Sequence, residues 1–118
     1  MKEIKYQIHK DAIDYALTTI LSSVLFPYLQ RIVLFGSVAR GTETKESDID
    51  LLLVFSKDIE NVPNYLKQYR NLKSDVNSDD LFAAECDLKF CIEDEWLISD
   101  ATIYQCIRKD GIVLWERN

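Results

Sequence analysis

The sequence predicts an α/β protein of the α+β kind, in which a mixed β-sheet is flanked by helices. Helical and strand-like apolar patterns alternate along the chain, the strand-like runs are short, and one of them is apolar on both faces. The predicted order is helix, strand, strand, helix, strand, helix, strand. We expect residues 1–118 to form one domain, because a chain of 118 residues has the usual size of one.

The first half of the chain contains one predicted helix and two predicted strands. The helix covers Asp11–Phe26, where apolar residues recur at helical spacing, and Pro27 is expected to end it. The strands cover Ile32–Phe35 and Ile49–Phe55, and a polar loop joins them. The second strand is apolar on both faces, which indicates a central position in the sheet.

The second half contains two predicted helices and two predicted strands. One helix begins at Val62, and a strand lies within Leu81–Ile92, where apolar and polar residues alternate. A last helix is predicted over Ser99–Lys109 with the serine as its N-cap, and Ile112–Trp115 is predicted as the closing strand. The helix from Val62 carries a basic stripe that either faces solvent or meets a triphosphate or an acidic partner, formed by Lys67, Arg70 and Lys73.

Two aspartates open the second strand. Side chains alternate along a strand, so Asp48 and Asp50 point to the same face. Two carboxylates at this position repel each other unless a cation lies between them. Oxygen ligands that leave room for water suit Mg²⁺, which usually takes one or two carboxylates together with substrate phosphates. The sequence therefore predicts a Mg²⁺ site with Asp48 and Asp50 as ligands.

A glycine and a serine follow the first strand. Gly36 allows a sharp turn and close approach of a ligand, and Ser37 can donate a hydrogen bond to a phosphate oxygen. A short helix beginning at Ser37 would direct its free N–H groups at the same anion. Arg40 either contacts the β- or γ-phosphate or forms a surface ion pair with Glu43, and both interpretations stay open. The charges of the loop, Glu43 included, are expected to face solvent.

The order of these residues matches a known signature. Gly36-Ser37, ten intervening residues and Asp48-Ile49-Asp50 resemble the nucleotidyltransferase signature of the DNA polymerase beta superfamily. The strings GSVARG and SDIDL are most similar to minimal nucleotidyltransferases, small proteins often paired with a HEPN toxin. A P-loop is excluded because it needs a lysine before its Ser or Thr, and here Gly41 leads directly to Thr42. The resemblance implies a polymerase-beta-like palm with its carboxylates on an open, concave face.

The resemblance also implies a third carboxylate, carried by a later strand. Asp87 fits, because strand-forming residues surround it and its parity directs it outward. Its expected roles are metal ligand and base for the incoming hydroxyl. Glu85 has the same parity two residues earlier, so it is the competing residue.

The implied function is Mg²⁺-dependent transfer of AMP from ATP to a hydroxyl acceptor, with release of pyrophosphate. The acceptor is expected on a HEPN-type toxin, which would make this protein the antitoxin of a toxin–antitoxin pair, in a homo- or hetero-oligomer. The predicted catalytic and metal-binding residues are Asp48, Asp50 and Asp87, and the predicted nucleotide-binding residues are Gly36, Ser37 and Arg40. The alternative is a non-catalytic antitoxin that neutralises its partner by forming a complex with it.

Composition limits the other function classes. The formal net charge of −6 argues against holding a long nucleic acid, which normally needs a basic surface. No apolar run approaches the roughly 20 residues of a membrane span, and the first residues lack the apolar core of a signal peptide, so a cytoplasmic location is expected. The three cysteines are expected to be buried, reduced thiols, and His9 is expected at the surface.

Overall fold

A computed structural model describes residues 3–118 and confirms the predicted mixed sheet with flanking helices. Among these residues the sheet has four strands in the order β3-β2-β1-β4. The strands and helices are α1 (Gln7–Leu21), β1 (Leu29–Phe35), α2 (Gly36–Arg40), β2 (Ile49–Phe55), α3 (Tyr65–Asp75), β3 (Cys86–Ile92), α4 (Glu95–Ile98), α5 (Thr102–Asp110) and β4 (Ile112–Glu116).

Strand pairing makes β1 and β2 the centre of the sheet. β1 is antiparallel to both β2 and β4, whereas β2 and β3 are parallel. A parallel pair needs a crossover connection, and α3 lies within that connection. The central position of β2 confirms the interpretation of its doubly apolar sequence, since each of its residues from Leu51 to Phe55 is buried.

The two faces of the sheet carry different helices. Alternate residues of β2, Leu51, Leu53 and Phe55, pack in one core cluster with residues of α1 and α3. Leu52 and Val54 point the other way and pack in a second cluster with residues of α4 and α5. Strand alternation therefore gives Asp50, the aspartate of β2, the parity of the face covered by α4 and α5.

The first helix runs over Gln7–Leu21, so the predicted range of Asp11–Phe26 was wrong at both ends. It ends before Pro27, because the backbone N–H and the hydroxyl of Ser23 both donate to the carbonyl of Ile20 and turn the chain. The earlier start adds His9 to the apolar stripe of α1. His9 is buried, so the prediction of a surface histidine was also wrong.

The last part of the chain contains one more helix than predicted. α4 precedes α5, and α5 begins at Thr102, so Ser99 does not cap it. The carbonyl of Ser99 instead accepts a hydrogen bond of 2.9 Å from Arg108, which also donates to the carbonyl of Trp96. Arg108 thereby joins the two short helices through contacts that no local sequence pattern predicts.

The cysteines are free thiols, as predicted, but only two of them are buried. Cys86 and Cys91 lie in the core, whereas Cys106 is exposed on α5. Burial, together with the charges of Asp87 and Asp50, raises the pKa of the Cys86 thiol to about 12. The helices of residues 3–118 are too short or too polar to cross a bilayer.

Candidate functional site

The three predicted carboxylates meet at the end of the sheet where β2 and β3 begin. Asp50 and Asp87 are paired neighbours in the parallel β2–β3 ladder, so their side chains share one face. Asp48 immediately precedes β2 and is exposed, whereas Asp50 and Asp87 are partly buried. The two strand starts therefore bring residues together that are far apart in the sequence.

Burial and neighbouring charges both act on the carboxyl of Asp50. Burial raises the pKa of its carboxyl, and the charges of Asp87 and Asp48 raise it further. Lys89 and Arg40 act in the opposite direction. Asp87 rather than Glu85 is thus the later carboxylate whose charge acts on Asp50, which supports Asp87 as the third site residue.

Two lysines accompany Asp87. The Nζ atom of Lys73 lies 3.6 Å from Oδ1 of Asp87, and the Nζ atom of Lys89 lies 3.9 Å from Oδ2. All three side chains are about half exposed, so these ion pairs contribute little to stability. They do supply positive charge at the edge of the sheet. Of the basic stripe predicted on α3, Lys73 is the residue that reaches the carboxylates.

Gly36 closes the other side of the site. Gly36 has a backbone φ of 80°, and a Cβ atom placed on it would lie 2.3 Å from Oδ2 of Asp50. Only glycine combines this backbone conformation with room for the carboxylate. The short helix α2 begins at Gly36, includes Ser37 and ends at Arg40, and the capping residue Gly41 that follows it also has positive φ.

The loop between α2 and β2 is less exposed than its sequence suggests. Glu43 is 4% exposed, so the prediction that it faces solvent was wrong. Its carboxylate lies 3.7 Å from the Nζ atom of Lys5, which also donates to the carbonyl of Gly41 at 2.6 Å. The positive charge of Arg40 lowers the pKa of the Asp50 carboxyl.

Backbone contacts hold both strand starts in place. The N–H of Ile49 donates to the carbonyl of Glu85 at 2.8 Å. The side chain of Asn77 pairs with both backbone groups of Cys86, accepting at 2.7 Å and donating at 3.0 Å. Asn77 thus makes the hydrogen bonds that a neighbouring strand would otherwise make with Cys86, the residue just before Asp87. Asn77 was not predicted as a site residue, because an asparagine in a polar loop has no local pattern that marks such a contact.

The residues present fit a divalent cation. The donor set is carboxylate oxygen alone, a cation would relieve the repulsion at Asp50, and Gly36 leaves room for the Asp50 carboxylate. Within residues 3–118 no three side chains of ligand type are already arranged as a metal cage.

Comparison with known proteins identifies the class. Residues 17–109 match the nucleotidyltransferase domain family. This range covers most of the chain and includes every candidate site residue. The chain belongs to this family and is an enzyme of the nucleotidyltransferase type, as the sequence predicted. Members of this family generally act on nucleoside triphosphates with a divalent metal.

Individual relatives agree with this assignment. A Methanocaldococcus jannaschii protein named "Putative protein adenylyltransferase MJ0604" is 37% identical over 67 residues, which cover 52% of this chain and 67% of that protein. The crystal structure of a "putative nucleotidyltransferase from Sulfolobus solfataricus" has a TM-score of 0.54 at 22% identity, covering 94% of this chain and 79% of that one. A toxin–antitoxin structure, the MntA-HpeT mutant Y104A, has a TM-score of 0.54 at 22% identity, covering 90% and 73%. At these identities the two structures show the shared fold.

The first prediction concerns Gly36. Gly36→Ala should lower the free energy of unfolding by roughly 1–2 kcal/mol, because an L-residue at positive φ is strained. It should also displace the Asp50 carboxylate and so weaken binding of a metal–nucleotide complex, measured by calorimetry. Gly41→Ala is the control, since it has similar backbone strain at φ 79° without the Asp50 contact. Unchanged nucleotide affinity in Gly36→Ala would show that the ligand binds elsewhere.

The second prediction concerns the pH dependence of stability. The pKa of Asp50 is higher in the folded than in the unfolded chain, so its ionised form destabilises the fold at neutral pH. This destabilisation disappears as the pH falls through the folded-state pKa. Asp50→Asn should therefore raise the melting temperature of the metal-free protein at neutral pH, and its advantage over wild type should shrink as the pH is lowered. Asp14→Asn, an exposed site on α1, should show neither effect. Equal melting curves for Asp50→Asn and wild type at neutral pH would refute the proposed crowding.

Proposed function

We propose that this chain transfers AMP from ATP, with Mg²⁺, to a hydroxyl group on a HEPN-type toxin and so silences it. The observation that carries the proposal is the meeting of Asp48, Asp50 and Asp87 at one end of the sheet, beside Gly36. The name of the M. jannaschii relative supports transfer of an adenylyl group to a protein. Toxin–antitoxin structures with this fold, one of them with AMP-PNP, support the partner class and the nucleotide.

Each candidate residue has a role in this reaction. Asp48, Asp50 and Asp87 would hold Mg²⁺ through their carboxylate oxygens, and Gly36 and Ser37 would receive a phosphate. The bound cation would neutralise charge on the triphosphate and on the leaving pyrophosphate. Such catalysis depends mainly on positioning and electrostatic stabilisation, so few side chains suffice.

The transfer step forms one bond and breaks another. The acceptor oxygen bonds to the α-phosphorus of ATP, and the bond from that phosphorus to the bridging oxygen of pyrophosphate breaks. Asp87 would accept the hydroxyl proton and release it to solvent. Arg40, which acts electrostatically on Asp50, would steady the pyrophosphate as it leaves. Lys73 and Lys89 add positive charge at the same edge, where the triphosphate brings negative charge.

The surface and the charge of the protein favour a protein acceptor. Asp48 is exposed, so a large partner can bring a hydroxyl to the site. The net charge of −6 complements a basic, RNA-handling partner and would accelerate encounter by electrostatic steering. We also propose that residues 1–118 act as one minimal nucleotidyltransferase domain, with the partner supplying the acceptor side of the site.

The third prediction tests catalysis against simple binding. A HEPN-type toxin from the same genome is co-expressed with wild-type protein, with Asp48→Ala or with Glu46→Ala, an exposed carboxylate in the same loop. Asp48→Ala should reduce the transfer rate at least about a hundredfold, the usual order for losing one electrostatic stabiliser of the transition state. Wild type and Glu46→Ala should add the mass of AMP to the toxin and restore growth, whereas Asp48→Ala should do neither.

The opposite result favours the non-catalytic alternative. If Asp48→Ala neutralises the toxin as well as wild type and the toxin gains no mass, complex formation alone protects the cell. Intact-mass measurement of the purified toxin, made beside the growth assay, separates the two functions.

A further inference from the structure

His9 contacts the backbone beside Asp48. Its side chain is buried, with 0% exposure, and its Nε2 atom lies 2.9 Å from the carbonyl oxygen of Ser47. Because a carbonyl oxygen only accepts hydrogen bonds, Nε2 must carry the proton and donate it. The Ser47 carbonyl belongs to the peptide group that leads into Asp48. This hydrogen bond therefore restrains the backbone from which the Asp48 side chain projects.

Asp48 lies one residue outside the hydrogen-bonded ladder of the sheet, so the strand alone does not hold it. On its C-terminal side, the N–H of Ile49 donates to the carbonyl of Glu85 at 2.8 Å. On its N-terminal side, the hydrogen bond from His9 restrains the Ser47 carbonyl. The peptide groups on both sides of Asp48 are thus held by residues from other parts of the chain.

The turn before Asp48 is closed by hydrogen bonds between Thr44 and Ser47. The N–H of Ser47 donates to the carbonyl of Thr44 at 3.1 Å, and the N–H of Thr44 donates to the Ser47 hydroxyl at 3.0 Å. These bonds close the turn on itself but do not attach it to the core. The bond from His9 attaches this turn to α1, which packs in the main core cluster.

The ring of His9 is itself held in place. Tyr6 packs edge-on against it, with ring centroids 5.6 Å apart and planes at 82°. The Nδ1 atom is buried and has no hydrogen-bond partner among residues 3–118, so a proton there would lack an acceptor. Among residues 3–118, Nε2 is thus the ring atom that makes a hydrogen bond, and its partner is the Ser47 carbonyl.

We propose that His9 is a positioning residue that holds Asp48 in its cation-binding geometry. The proposal rests on the proposed function, in which Asp48 is a cation ligand. A histidine that only filled the core would affect stability alone. A positioning residue also affects metal affinity and turnover when the fold is otherwise intact, because metal ligands must keep closely defined positions.

The fourth prediction compares three substitutions in α1. His9→Leu removes the donor, His9→Gln retains an amide donor of similar reach, and Ile13→Val trims a buried side chain on the same helix without touching Ser47. His9→Leu should weaken binding of Mn²⁺ in the presence of AMP-PNP by about tenfold, near the upper range expected for one hydrogen bond. It should also lower kcat more than it raises KM for the acceptor. His9→Gln should restore Mn²⁺ affinity to within about twofold, and Ile13→Val should leave it unchanged while lowering the melting temperature.

The experiment separates this proposal from the proposed function. Mn²⁺ affinity is measured by calorimetry beside thermal melts without metal, and Asp48→Asn is included. If Asp48→Asn leaves Mn²⁺ affinity unchanged, Asp48 is no ligand and the proposed function fails. If Asp48→Asn loses affinity but His9→Leu behaves like Ile13→Val, His9 is only a core residue and the present inference fails. Should His9→Leu not fold, His9→Asn replaces it, since its shorter amide cannot reach Ser47. Equal Mn²⁺ affinity in His9→Asn and His9→Gln would likewise overturn the inference.

Discussion

The parallel pairing of β2 with β3 sets two carboxylates, Asp50 and Asp87, side by side on one face of the sheet. Their mutual repulsion is the constraint that the surrounding structure accommodates. The pairing is well determined because residues of β2 alternate between two apolar cores. A slip of one residue would direct Asp50 into a core and a leucine into the site. The loss of apolar burial disfavours such a slip. The fold thus stabilises an arrangement that the charges alone would disfavour.

Neighbouring groups reduce that repulsion without removing it. Lys73 and Lys89 lie beside Asp87, and Lys89 and Arg40 oppose the rise in the pKa of Asp50. The pKa of the Asp50 carboxyl nevertheless stays above that of an isolated aspartate carboxyl. A divalent cation with a triphosphate would bring the missing positive charge together with new negative charge for the lysines and for Arg40. In the proposed function, the charge crowding at rest and the binding of a cation would therefore have one physical origin.

Local patterns were enough to predict the strands, the mixed sheet and the positions of the two aspartates in the signature. Period-two alternation also predicted that Asp87 points outward, and the parallel register then paired it with Asp50. Contacts that join distant segments could not be predicted. His9 was assigned to the surface because the predicted helix began at Asp11, four residues after its observed start at Gln7, and so the histidine was left outside the apolar stripe. The burial of Glu43 beside Lys5 likewise depends on how the N-terminal segment crosses the loop.

The central claim is that Asp48, Asp50 and Asp87 bind one metal–nucleotide complex. The most direct test is a crystal structure with Mn²⁺ and AMP-PNP, in which anomalous scattering locates the metal independently of its surroundings. We expect anomalous density within coordination distance of oxygens from all three aspartates, with the triphosphate against Gly36 and Ser37 and with Asp87 released from Lys73. Density coordinated by Glu85 in place of Asp87, or located away from the starts of β2 and β3, would contradict the claim.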